Sequence, residues 1–192
     1  MIPGEPSART YGISADLTGE AARAALGMWA HLEERYGLRE SRAALRPHVS
    51  YLIGESGRPD ALAGALEVIA RRVEPPAIQI EGLGVFPGAS PVLFLQVAKT
   101  RELVAIHAQL MEVTRGLWDG LWPHYLTEPW VPHVTLALRD LRPEQLPAVL
   151  ADLDARRTHF TAELPGLDLV NVVLPTHVYL GHVDLRRAGG GR

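Results

Sequence analysis

Two short stretches carry the side chains best suited to chemistry. RPHVSYL spans residues 46–52 and VPHVTLA spans residues 131–137. Each writes Pro-His-Val followed by a hydroxyl residue, and the two histidines, His48 and His133, stand 85 positions apart. A lone His-x-[Ser/Thr] means little, because chance supplies on the order of one in a chain with this many histidines and hydroxyl residues. Two copies, both led by proline and both running into apolar residues, are a different matter. In a strand, alternate side chains share a face. His48 then projects with Ser50, and His133 with Thr135, while Val49 and Val134 point into the core. If both strands border one cleft, two imidazoles and two hydroxyls surround one space. That set suits displacement at phosphorus. A neutral imidazole takes a proton from the attacking oxygen and an imidazolium gives one to the departing oxygen, which a free pKa near ~6.5 permits at neutral pH. The Ser50 and Thr135 hydroxyls would hold the non-bridging phosphate oxygens. The scheme calls for no metal and no cofactor.

Further candidates flank the motifs. Arg46 shares strand parity with His48 and could reach phosphate, and Arg139 follows the second motif. Tyr11 lies on the first expected strand. Trp118, Trp122, Tyr125 and Trp130 cluster ahead of the second motif, where Tyr125 and Trp130 could line a nucleobase site by stacking. Tyr51 has the opposite parity to His48 and reads as core. A zinc site is not expected, since His124 and His133 have no acidic partner at ligand spacing. His177 and His182 have opposite parity and cannot share a ligand. The glycines of residues 81–88 open no helix and fit no phosphate-binding loop.

Elements that could position these groups follow from the pattern of apolar residues. Strands are expected at 10–17, 47–53, 77–86, 91–98, 131–138, 160–173 (broken at Pro165-Gly166) and 177–185. Helices are expected at 19–36, from Pro59 to about 73, from Thr100 to about 118, and from Pro143. On the first helix Ala22, Ala25, Leu26, Trp29 and Leu32 form the inward face. Three landmarks recur at nearly one offset: the histidines, the helix-opening prolines Pro59 and Pro143, and the strands beginning at Val92 and Val178. This reads as an internal duplication with an offset of about 85 residues. The expected product is a single α+β domain over 1–192 with two intertwined lobes. Two antiparallel sheets should face a central cleft, with helices outside and residues 188–192 as a tail.

The chain resembles the 2H phosphoesterases, the family of the 2′-5′ RNA ligases and RNA 2′,3′-cyclic phosphodiesterases. The resemblance rests on the paired His-x-[Thr/Ser] motifs, on EGLGVFPG followed by PVLFLQV, on LVAIHAQL, and on PHVTLA. Ser50 stands where threonine is more frequent in the family, and keeps the hydroxyl. The resemblance implies metal-independent hydrolysis of a 2′,3′-cyclic phosphate on a nucleotide or RNA end to a 2′-phosphate. It makes His48 and His133 catalytic and Ser50 and Thr135 phosphate-binding. The same four groups suit 2′-5′ ligation or cleavage of another 2′,5′-linked nucleotide. A nucleotide-binding module without turnover is the reading from another class.

Composition narrows the partners. The net charge is −3 among 192 residues, which argues against a broad, non-specific nucleic-acid binder. Eighteen of the 19 basic residues are arginine, Lys99 being the exception. With no cysteine, disulfides and thiolate chemistry are excluded, in keeping with a reducing compartment. No signal peptide and no membrane span are expected, so the expected location is the cytoplasm. A small nucleotide or RNA end is the expected partner, and a monomer the expected state.

Overall fold

The computed structural model describes residues 6–173 and 176–186. The expected tail at 188–192 lies outside them. The chain opens with strand β1 (Thr10–Asp16), helix α1 (Gly19–Tyr36), a 3-10 turn at Glu40–Ala44, and β2 (His48–Glu55). Helix α2 (Pro59–Ala70) and the hairpin β3 (Ala77–Phe86) and β4 (Val92–Val97) follow. Then come α3 (Arg101–Val113), the two-residue β5 (Gly120–Leu121), β6 (His133–Ala137), α4 (Leu146–Asp154), β7 (His159–Glu163), β8 (Gly166–Asn171) and β9 (Val178–Asp184). The α+β class is as expected, and every strand pairing is antiparallel. Among the described residues no helix is long and apolar enough to cross a membrane.

Helix boundaries follow local chemistry. The Thr100 hydroxyl accepts the Leu103 N–H and starts α3. Gly37, at φ 72°, ends α1 in the left-handed region that glycine tolerates best. Helix α1 sits rotated from expectation. Its buried residues are Ala21, Ala25, Met28, Trp29 and Leu32, and Leu26 faces outward. Helix α3 stops at Val113 rather than near 118, and α4 begins at Leu146, with Pro143 in the turn before it.

The sheets order as β5-β2-β1-β8-β9 and β6-β4-β3-β7. Leave out β5, and each sheet is a motif strand followed by three neighbours. The halves interlock. β3, from the first half, lies in the second motif's sheet, and β8, from the second half, lies in the first motif's sheet. Helix α1 packs on β6 and β7, whereas α2 and α3 cover β8, β9 and β2. The break at Pro165-Gly166 is where the chain changes sheets, from β7 to β8. One landmark of the repeat does not survive as an equivalence. β4 is second in its sheet and β9 is the edge of the other, so by position β4 matches β1 and β9 matches β7. The similarity of VLFLQV to VYLGHV reflects shared strand composition rather than shared place.

Candidate active site

Parity works as the sequence suggests. Val49 and Val134 are fully buried, while His48, Ser50, His133 and Thr135 are each partly exposed on the opposite face. β2 and β6 pack against each other without pairing, because each is free on one side there. β5 pairs β2 only at Gly54 and Glu55, well past His48.

The two histidines are held in the same way. His48 Nδ1–H donates to the Arg46 carbonyl at 2.9 Å, and His133 Nδ1–H donates to the Val131 carbonyl at 2.7 Å. A carbonyl only accepts, so Nδ1 carries the hydrogen in each ring. That leaves Nε2 of the neutral form as an unprotonated acceptor. The Ser50 and Thr135 hydroxyls have no partner among the described residues and are free to donate to a ligand. Burial lowers the pKa of both imidazoles. Positive charge on His48 lowers His133 further, which places the rings within electrostatic reach of each other.

Two tryptophans brace the strands on their unpaired sides. Trp130 Nε1–H donates to the Ser50 carbonyl at 3.0 Å, and Trp29 Nε1–H donates to the Thr135 carbonyl at 2.9 Å. A buried carbonyl needs such a donor, and each strand lacks a neighbour that would supply it. Trp130 is itself buried, between Tyr51 and His107, so it supports Ser50 from below and does not line the cleft. His107, which reads as ordinary in the sequence, is fully buried and donates Nε2–H to the Tyr125 carbonyl. Tyr125 packs against the core, and burial pushes its hydroxyl up to about 12.

The surroundings differ between the motifs. Beside His48, the Arg46 guanidinium pairs with Asp16 at 2.6 Å, sits 3.9 Å from Asp168, and lies 3.7 Å over the Tyr179 ring. Arg46 is thus committed to carboxylates rather than left open for phosphate. Asp16 and Asp168 flank Ser14 by register, on the face shared with His48 and Ser50. Asp168 is 1% exposed. Burial first, then Asp168, pushes the Asp16 carboxyl up to about 6. His182 donates to Asp168 at 3.0 Å. Asp16, Arg46, Asp168 and His182 line a cavity of about 340 Å³ to which neither motif histidine contributes. The backbone here is strained. Leu45 has φ 66°, and the Arg46 N–H closes a tight turn onto the Ala44 carbonyl at 2.8 Å. The Tyr179 hydroxyl donates to that same carbonyl at 3.1 Å.

His133 instead lies against the contacting rings of Phe86 and Phe94, with each ring centre 5.1 Å away. A side chain on Gly84 would collide with the Phe94 ring, so the glycine lets Phe94 lie flat across the sheet. Neither phenylalanine stands out in the sequence. The available signal was the alternation of glycine and apolar residues over 82–85, running into Phe86.

Two other expected residues lie elsewhere. Tyr11 shares the core face with Ile13 and packs there. Arg139 follows the far end of β6, and its φ of 70° marks a turn. A third tripeptide, His159-Phe160-Thr161, matches His-x-Thr but lies exposed on β7.

Comparison with known proteins agrees with this geometry. The description of the 2′-5′ RNA ligase superfamily matches residues 19–172. No curated protein matches the sequence. Among solved structures, the protein TT0787 of Thermus thermophilus aligns over 92% of this chain and 98% of its own, with a TM-score of 0.65 at 19% identity. E. coli LigT, solved with 3′-AMP, aligns over 96% of this chain and 100% of its own, with a TM-score of 0.54 at 16% identity. At those identities the likeness concerns the fold. A match running through both histidine motifs, on a pair of sheets that exchange strands between halves, means that this chain belongs to the 2′-5′ RNA ligase superfamily of 2H phosphoesterases.

Proposed function

We propose that the cleft hydrolyses a 2′,3′-cyclic phosphate on a nucleotide or RNA end and leaves a 2′-phosphate. The observation that carries this reading is the matched tautomer of His48 and His133, each with Nε2 left for proton transfer and an unpartnered hydroxyl two residues on. LigT, the structural neighbour solved with 3′-AMP, holds a ribonucleotide of the class this reading needs.

The surroundings divide the roles. Burial lowers the pKa of His48, and of its two charged neighbours Asp168 favours the protonated form while Arg46 opposes it. His133 has aromatic neighbours and a pKa lowered by burial and by His48. Because only His48 has a carboxylate near it, we assign His133 as the base and His48 as the acid. Nε2 of His133 takes a proton from water as the water oxygen bonds to phosphorus. The P–O3′ bond breaks, and Nε2–H of His48 passes its proton to O3′. Ser50 and Thr135 hold the non-bridging oxygens, where charge accumulates. Solvent resets both rings.

The test incubates each of the four 2′,3′-cyclic mononucleotides with the protein in excess EDTA and follows phosphorus NMR. A 2′-monophosphate should form. His48→Ala and His133→Ala should each lower the rate by at least ~100-fold, with far-UV circular dichroism unchanged. Full turnover by both variants rejects the mechanism. Binding without turnover by the unaltered protein selects the nucleotide-binding module instead.

A further inference from the structure

In-line displacement fixes where the rest of the substrate goes. If His48 protonates the departing O3′, the nucleoside attached to that oxygen extends along His48's side of the cleft. Arg46, Tyr179 and His182 on that side are already engaged, while Ser14 Oγ and Asp168 Oδ2 are buried without a hydrogen-bond partner. The Arg46 guanidinium is held by Asp16 and Asp168 and lies flat on Tyr179. The Tyr179 hydroxyl is given to the Ala44 carbonyl. His182 contacts Asp168 through Nδ1 and Asp184 through Nε2.

His177 is different. It stands just ahead of β9, yet its ring centre lies 6.3 Å from that of His48, with the planes tilted by 56°. It is half-buried, and neither nitrogen has a hydrogen-bond partner among the described residues. At that separation the two rings do not stack, but both can touch one bound molecule. We infer that His177 is the specificity residue of the site and binds the nucleoside portion of the substrate, through a ribose hydroxyl or the polar edge of the base. The inference rests on the phosphodiesterase reading above, and on His48 facing the leaving group. Burial, then the charge of His48, lowers the His177 pKa to about 4. At neutral pH the ring therefore offers one donor and one acceptor, the pair a ribose hydroxyl or a base edge complements. A neutral ring also leaves His48 as the proton donor.

Imidazole NMR signals, assigned by single substitutions, test this in the intact protein. Inorganic phosphate should move the signals of His48 and His133 and leave that of His177 in place. A nucleoside 2′-monophosphate should move all three. His177→Ala should weaken the nucleotide roughly three- to tenfold, the span of one neutral hydrogen bond, and leave phosphate affinity as it was. A His177 signal unmoved by nucleotide overturns the inference, whatever the other two do. Equal weakening of phosphate and nucleotide overturns it as well, since that marks general damage. If His48 and His133 ignore phosphate, the catalytic reading fails, and the His177 signal still reports separately on nucleotide contact.

Discussion

On the first motif strand, His48 lies near Arg46 and Asp168, and Arg46 in turn pairs with Asp16 and covers the Tyr179 ring. On the second, His133 packs against a pair of phenylalanines. The backbone devices are alike: a carbonyl two residues back fixes each ring, and an indole caps the hydroxyl residue's own carbonyl. The frame is thus repeated, and the surroundings are not. Duplication supplies two matched nitrogens. On the proposed reaction, different neighbours assign them different work, because charge and burial decide which ring holds its proton.

The largest effect should come from separating those two roles. On a 2′,3′-cyclic nucleotide, His48→Ala and His133→Ala should both lose ~10²–10⁴-fold in rate. On a nucleotide diester that expels 4-nitrophenolate, the leaving group needs no proton. There His48→Ala should recover to within about tenfold of the parent protein, and His133→Ala should stay inactive. Recovery by His133→Ala instead would exchange the roles. Recovery by neither would mean the comparison misplaces the acid.

A middle-sized effect probes what the halves share. Trp29→Phe and Trp130→Phe each remove the donor to one motif carbonyl, Thr135 or Ser50. Each should lower stability by about 1–3 kcal/mol in urea titrations, the cost of an orphaned buried acceptor. Similar losses support a repeated frame, and a loss at one alone breaks it.

The smallest effect belongs to the charged side. Asp16 has its pKa raised from 3.8 to about 6, so the folded chain holds that proton more tightly than the unfolded one. Its contribution to stability therefore falls as pH rises from about 4 to 6 and stays low above that. The shift of roughly two units, which already includes the opposing charge of Arg46, bounds the cost at ~3 kcal/mol before solvent screening. Asp16→Asn should gain on the order of 1 kcal/mol at pH 8 and nothing at pH 4. Destabilisation at pH 8 would show that the Arg46 pair outweighs the burial.

Much of the site was legible in the sequence. Strand parity sent Val49 and Val134 inward and the four polar residues outward, because a strand's side-chain period is fixed by its backbone. Helix α1 was legible in extent but not in rotation, since alanines and leucines occur around more than one side of it. Tyr11 and Trp130 read as cleft candidates because an aromatic ring suits a core and a binding site equally well. Their backbone neighbours, not their chemistry, put them in the core.

The sequence by itself determined the repeated motif, the elements that carry it and the face each motif residue takes, since all of these follow from local periodicity. Only the tertiary structure decided that the two motif strands pack against each other and that β3 and β8 trade sheets. It alone brought Phe86 and Phe94 to one histidine, and Asp16, Asp168 and His177 to the other. Those groups come from strands far apart in the chain, and what they do to an imidazole depends on distance and burial, which no local pattern records.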